Sequence, residues 1–128
     1  MKAKREYADY LRDILDATRK ARRFVERVEF DAFVTNDEKV FAVRQALEII
    51  GEAAKKVPRS ARGHYPQVPW REIAGMRDKL AHEYFGVNLQ RVWQTVQDDL
   101  PLLETTVEQM LADLERQERK ESRHDEEH

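Results

Sequence analysis

Apolar side chains that recur at alternating spacings of four and three restrict the fold of this chain more than any other feature. Tyr7, Leu11, Ile14, Thr18, Ala21, Val25 and Val28 form one such run. Val40, Val43, Leu47, Ile50, Ala54 and Val57 form a second, and Leu100, Leu103, Val107, Met110 and Leu114 a last. This rhythm keeps one stripe of a 3.6-residue helix turned toward a neighbour. The first run predicts a helix over about residues 4–28 and the second one over about 36–57. Thr35-Asn36-Asp37 supplies the N-cap of the second, and Pro58 stops it.

Between these runs, Phe30 to Val34 reads as a short apolar connector. Ser60 to Pro69 is the loosest stretch, with Gly63, Pro66 and Pro69, and has room for one helical turn. Pro69 suits the first turn of a third helix, with Trp70 its first large apolar residue. That helix is expected to reach Tyr84 or Phe85, with Gly86 as the residue past its end. Asn88 caps a fourth helix carrying Leu89, Val92, Trp93 and Val96, and Asp99 before Leu100-Pro101 reads as a fresh N-cap, hence a kink or break. The expected architecture is all-α: an up-and-down four-helix bundle with a kinked last helix, over residues 1–114. After Glu115 the apolar residues vanish, so residues 115–128 read as a charged tail that extends the helix into solvent and frays.

Composition closes off several functions. At 128 residues the chain holds one domain's core, and charged residues make up 38% of it. Without cysteine there is no disulfide, thiol catalysis or cysteine-bound metal. No apolar run is long enough to cross a bilayer or serve as a signal peptide, so a cytoplasmic protein with no membrane partner is expected. A net charge of -2 means that any nucleic acid must be met by a local patch. Arg19, Lys20, Arg22, Arg23 and Arg27 are one candidate, although a solvated helix face is the simpler reading.

Chemistry concentrates in Arg77-Asp78-Lys79-Leu80-Ala81-His82-Glu83-Tyr84. At about 100° per residue, Ile73, Leu80 and Tyr84 share a face, and Arg77 falls within that stripe. A guanidinium there needs a buried partner, Glu48 or Glu52, or a wet cleft. His82, five residues on, is turned about 140° away, so the two side chains converge only if the last turn is distorted or a second chain completes the site. Asp78 lies one turn before His82 and is placed to orient its imidazole. Asp78 and His82 offer two metal ligands without an evident third, so neither metal nor cofactor is expected. His64 lies in the loose connector and His124 and His128 in the tail, where solvation is the simpler reading.

Arg77 and His82 match the R-x-x-x-x-H signature of the HEPN superfamily, and Tyr84 extends it to the R-x-x-x-x-H-x-Y of the HepT branch. The flanks Leu47-Glu48-Ile49-Ile50-Gly51-Glu52-Ala53-Ala54, Pro69-Trp70-Arg71-Glu72-Ile73, Tyr84-Phe85-Gly86-Val87 and Asp98-Asp99-Leu100-Pro101 after Val92-Trp93 resemble the same branch. The resemblance implies an all-α homodimer and a metal-independent endoribonuclease, the toxin of a HepT/MntA-type toxin–antitoxin pair. It implies that Arg77 binds the scissile phosphate, that His82 is the general acid or base, and that Asp78 supports them. Tyr84 would be the residue to which a cognate MntA-like nucleotidyltransferase attaches AMP, in a homodimer or a larger assembly with that antitoxin. The chain departs from the family in carrying Asp78 where Asn is frequent, which leaves open a non-catalytic, nucleotide-binding or scaffolding partner of such a transferase. A bundle in which Arg77 is merely a buried ion pair is the third reading.

Overall fold

A computed structural model describes the backbone of residues 2–82 and 88–126, and the side-chain surroundings of residues 7–80 and 88–123. Every regular element among the described residues is helical. They are α1 (Lys2–Phe24), α2 (Phe30–Val34), α3 (Asp37–Lys55), α4 (Arg59–Arg62), α5 (Trp70–His82), α6 (Leu89–Gln94) and α7 (Leu100–Glu126), with a π-helical turn, Thr95–Asp99, joining the last two.

The stripes seen in the sequence are the seams of the core. Leu11 and Ile14 of α1, Val43, Leu47 and Ile50 of α3, Ile73 of α5, and Leu100, Leu103 and Val107 of α7 are all fully buried. α1 packs on α3 along one side and on α7 along another, and α5 packs on α3. The Phe30–Val34 connector is a short helix rather than an extended link. Phe33 is fully buried, and both Phe30 and Phe33 lie against the Trp93 ring, at centroid distances of 6.0 and 5.2 Å.

Two of the expected caps form as read. The Asn36 side chain accepts a hydrogen bond from the Lys39 N–H at 3.1 Å, and that of Asn88 accepts from the Arg91 N–H at 3.2 Å. Two expected boundaries are different. α1 ends at Phe24 rather than near Val28, because Arg27 takes the left-handed conformation at φ 61°. Lys39 then donates its ammonium to the carbonyl of Phe24 at 2.8 Å and satisfies one exposed helix end. Asp99 is not a fresh N-cap either. Gln94 and Leu100 are both right-handed helical, so the chain runs on without a break through the π turn. Leu100 donates its N–H to Thr95, five residues back. Proline has no N–H and its ring crowds the carbonyl four residues earlier, so the wider turn ahead of Pro101 gives that ring room. The helix continues through the charged stretch as far as Glu126.

Candidate functional site

The described part of the Arg77–Tyr84 stretch lies on α5, and α3 positions it. Gly51 is buried where the two helices cross. A Cβ added at Gly51 would sit 3.1 Å from the Arg77 nitrogen, 3.2 Å from the Ile73 carbonyl oxygen and 3.5 Å from the Arg77 Cβ. The absence of a side chain there lets the α5 backbone press on α3 at the position of Arg77. Ile73 and Leu80, on either side, anchor α5 in the core at 1% and 7% exposure.

Arg77 itself does not lie in the core, contrary to the wheel. Its stem starts at the helix crossing, but the long side chain leaves along α3 and its head reaches solvent, with 54% of the side chain exposed. There Nη1 donates to the Glu52 carboxylate at 2.6 Å. Glu52 is therefore the partner, in a pair that is exposed rather than sealed. The ion pair expected of a purely structural Arg77 is thus present, but it is exposed rather than buried.

A second pair crosses the same helix interface with the opposite polarity. Lys55 of α3 donates to both oxygens of Asp78 of α5, at 3.2 Å each. Lys56 adds a weak contact to Glu52 at 4.0 Å and lies over the Tyr10 ring at 5.3 Å. The α3–α5 edge is thus a short ladder of alternating charge, in which each carboxylate holds a cation in place. Exposed pairs of this kind contribute at most about 1 kcal/mol each. Arg77 also has N–H donors beyond the Nη1 that Glu52 engages.

His82 is the last residue of α5, and its side chain lies outside the described residues, as does the whole of Tyr84. Gly86, read as the residue past the helix end, is outside them too. Asp78, read as the residue that orients His82, has its carboxylate on Lys55. The contact from Lys55 to Asp78 is one that sequence reasoning missed. Its spacing from Glu52, three residues on one helix facing two consecutive charges on another, was the available signal.

Three cations of the basic run that starts in α1 are held by carboxylates. Arg22 and Arg19 each lie 2.9 Å from a carboxylate of α7, Glu104 and Glu108 respectively, and Lys20 pairs with Asp16 one turn away at 2.9 Å. Arg19 and Arg22 thereby join α1 to α7, whereas Arg23 and Arg27 form no ion pair among the described residues. No group of three or more His, Asp or Glu able to hold a metal occurs among the described residues. Among the described residues no helix is long and apolar enough to cross a membrane.

The model of the family described as ribonuclease HepT-like matches residues 14–110, which takes in α5 and the helices that carry it. The chain belongs to the HepT-like family. It is 44% identical over 107 residues to the "Probable ribonuclease HepT" of Thermococcus cleftensis, covering 84% of this chain and 97% of that one. A Methanocaldococcus jannaschii protein named "Putative RNase" is 40% identical over 112 residues, covering 88% of this chain and 93% of its own. One of Caldanaerobacter subterraneus subsp. tengcongensis with the same description is 44% identical over 102 residues, covering 80% and 91%. No solved structure matches the chain. The HepT-like match begins within α1 and ends within α7, so it leaves out the charged end of α7.

Proposed function

We propose that this chain is a metal-independent endoribonuclease and that Arg77 and His82 perform the cleavage. The observation that carries the reading is the exposed guanidinium of Arg77, held at the surface by an exchangeable carboxylate on the helix that also bears His82. Membership of the HepT-like family supports the same conclusion. In the reaction, the ribose 2′-oxygen attacks the adjacent phosphorus and the bond to the 5′-oxygen breaks. The products are a 2′,3′-cyclic phosphate and a 5′-hydroxyl end. His82 takes the proton from the 2′-hydroxyl or returns one to the leaving oxygen. Arg77 binds the phosphate and stabilises the charge that develops on it. Asp78 supports them from the same helix. The requirement for a 2′-hydroxyl restricts the substrate to RNA.

The site works as the shared cleft of a homodimer, in which the second chain brings its own α5 and relieves the angular separation of Arg77 from His82. Each protomer is a four-helix bundle over residues 1–114, and residues 115–128 form a charged extension of α7 outside it. The protein acts in the cytoplasm as the toxin of a toxin–antitoxin pair. An MntA-like nucleotidyltransferase neutralises it: the Tyr84 oxygen attacks the α-phosphorus of ATP, pyrophosphate leaves, and the attached AMP fills the cleft with bulk and negative charge.

Purified protein is expected to cleave RNA in the presence of EDTA, leaving cyclic phosphate ends, and His82→Ala to abolish cleavage with an unchanged helical spectrum. Equal activity of wild type and His82→Ala would refute the assignment. Transfer of AMP is expected to add its mass to wild type and not to Tyr84→Phe. The Glu52 carboxylate on Arg77 favours a second reading, in which the cation is never released and the chain serves as a non-catalytic partner of the transferase. That reading expects a stable complex with the transferase, no cleavage and no toxicity.

A further inference from the structure

A groove opens between α4, the end of α3 and the start of α5, and its walls are basic. Lys55, Arg59, Arg62 and Arg71 line it together with Trp70, and Glu72 is the one carboxylate among the described residues of its lining. Elsewhere on the molecule Arg12, Arg19, Lys20, Arg22, Arg77 and Arg116 each pair with a carboxylate. In contrast, Arg59, Arg62 and Arg71 form no ion pair among the described residues, and the Nε of Arg62 is buried without a hydrogen-bond partner. Three guanidinium groups without an ion pair, two from α4 and one from α5, thus face one groove of a chain with net charge -2.

The groove is continuous with the candidate site. Lys55 lines it and at the same time holds Asp78, the neighbour of Arg77. Arg71 lies seven residues before Asp78 on α5, which is two turns back on nearly the same face, about 10 Å along the axis. Planar guanidinium groups match phosphate oxygens two at a time, and a strand running along such a groove meets them in series.

We infer that the Lys55, Arg59, Arg62 and Arg71 groove is the track for the RNA backbone on one side of the cleavage site, holding phosphates outside the R-x-x-x-x-H motif. This rests on the ribonuclease reading, and the test keeps the two apart by measuring binding in the inactive His82→Ala protein. Arg59 and Arg71 are exposed, so Arg59→Gln with Arg71→Gln leaves the core untouched. Each phosphate contact on a single strand contributes about 0.7 to the slope of log K against log salt. The double variant is therefore expected to lower that slope by about 1.4 on a single-stranded RNA of a dozen or so nucleotides, and adding Arg62→Gln by about 2 in total. The control Arg12→Gln with Lys20→Gln, which removes the same charge from α1, is expected to leave the slope unchanged. In the active protein the groove variants are expected to raise KM on long RNA and to leave cleavage of a dinucleotide unaltered, since a dinucleotide does not reach the groove. Equal losses from the groove and control variants would overturn the proposal. So would unchanged RNA binding with loss of the transferase complex, which would assign the groove to a protein partner. If His82→Ala proves as active as wild type but the slope still falls, the catalytic assignment fails and the track stands.

Discussion

Substitution of Gly51 by alanine isolates the contact that sets Arg77 in place. Two opposing terms are worked from the structure. Alanine is favoured over glycine inside a helix by about 1 kcal/mol. Against this, the new methyl would lie 3.1 and 3.2 Å from backbone atoms of Arg77 and Ile73, tighter than carbon normally tolerates. Neither atom is the end of a flexible side chain. Both belong to a helix that Ile73 anchors in the core at 1% exposure, so relief requires α5 to move as a body. Overpacking of this kind costs about 1–3 kcal/mol, which outweighs the propensity gain and leaves a net loss of about 1 kcal/mol. Gly75 is the internal reference. It is on α5 itself, and a Cβ there meets nothing within 4 Å, so Gly75→Ala keeps only the favourable term. The two variants are expected to differ by about 2 kcal/mol, or roughly 8 °C in melting temperature for a chain of this size. Urea and thermal melts measure the difference. RNA cleavage is expected to fall in Gly51→Ala alone, because positioning errors well under 1 Å already cost rate. A Gly51→Ala protein as stable as Gly75→Ala would show that the helix crossing is not tight and would remove the reason given for the position of Arg77.

Thr18 is fully buried in the α1 seam with no hydrogen-bond partner for its hydroxyl, so Thr18→Val is expected to stabilise the protein by about 1 kcal/mol in a denaturant titration. Tyr65 donates its hydroxyl to Asp113 of α7, and Tyr65→Phe is expected to cost about 1–2 kcal/mol at neutral pH. Burial, and then the Asp113 carboxylate, push the Tyr65 pKa from 10.0 up to about 12, so its contribution is complete below pH 10 and is lost as pH rises toward 12. Melts of wild type and Tyr65→Phe should therefore converge over that window. The same bond lowers the Asp113 pKa, which makes its contribution present above the ordinary carboxylate range and lost as pH falls below it. Asp99 in the π turn behaves in the reverse sense. Burial, followed by the charge of Asp98, raises its pKa, so ionised Asp99 disfavours the fold and Asp99→Asn is expected to raise the melting temperature at neutral pH and not at acid pH.

The sequence revealed what depends on neighbours within a turn or two. The stripes of α1, α3 and α7 and the caps at Asn36 and Asn88 are local patterns, and each forms where its residues required it. It misled where the outcome depended on a partner far along the chain. Nothing in the residues around Val25 announces a left-handed Arg27, and the stripe alone carried the first helix four residues too far. Asp99 before Leu100-Pro101 reads as a fresh N-cap, hence a kink or break, but one wider π turn carries the helix past the proline and leaves the stripe from Leu100 to Leu114 intact. The site follows the same division. Glu52 was legible as a partner of Arg77, since a guanidinium near a packing stripe needs an acid and few were within reach. Which of the two environments Arg77 takes, a buried pair or a wet cleft, was not legible, because the crossing at its Cβ depends on Gly51, a residue 26 positions away. The helical wheel treats a residue as wholly inward or wholly outward, whereas Arg77 is inward at Cβ and outward at its charge. Its ability to meet a phosphate depends on that division.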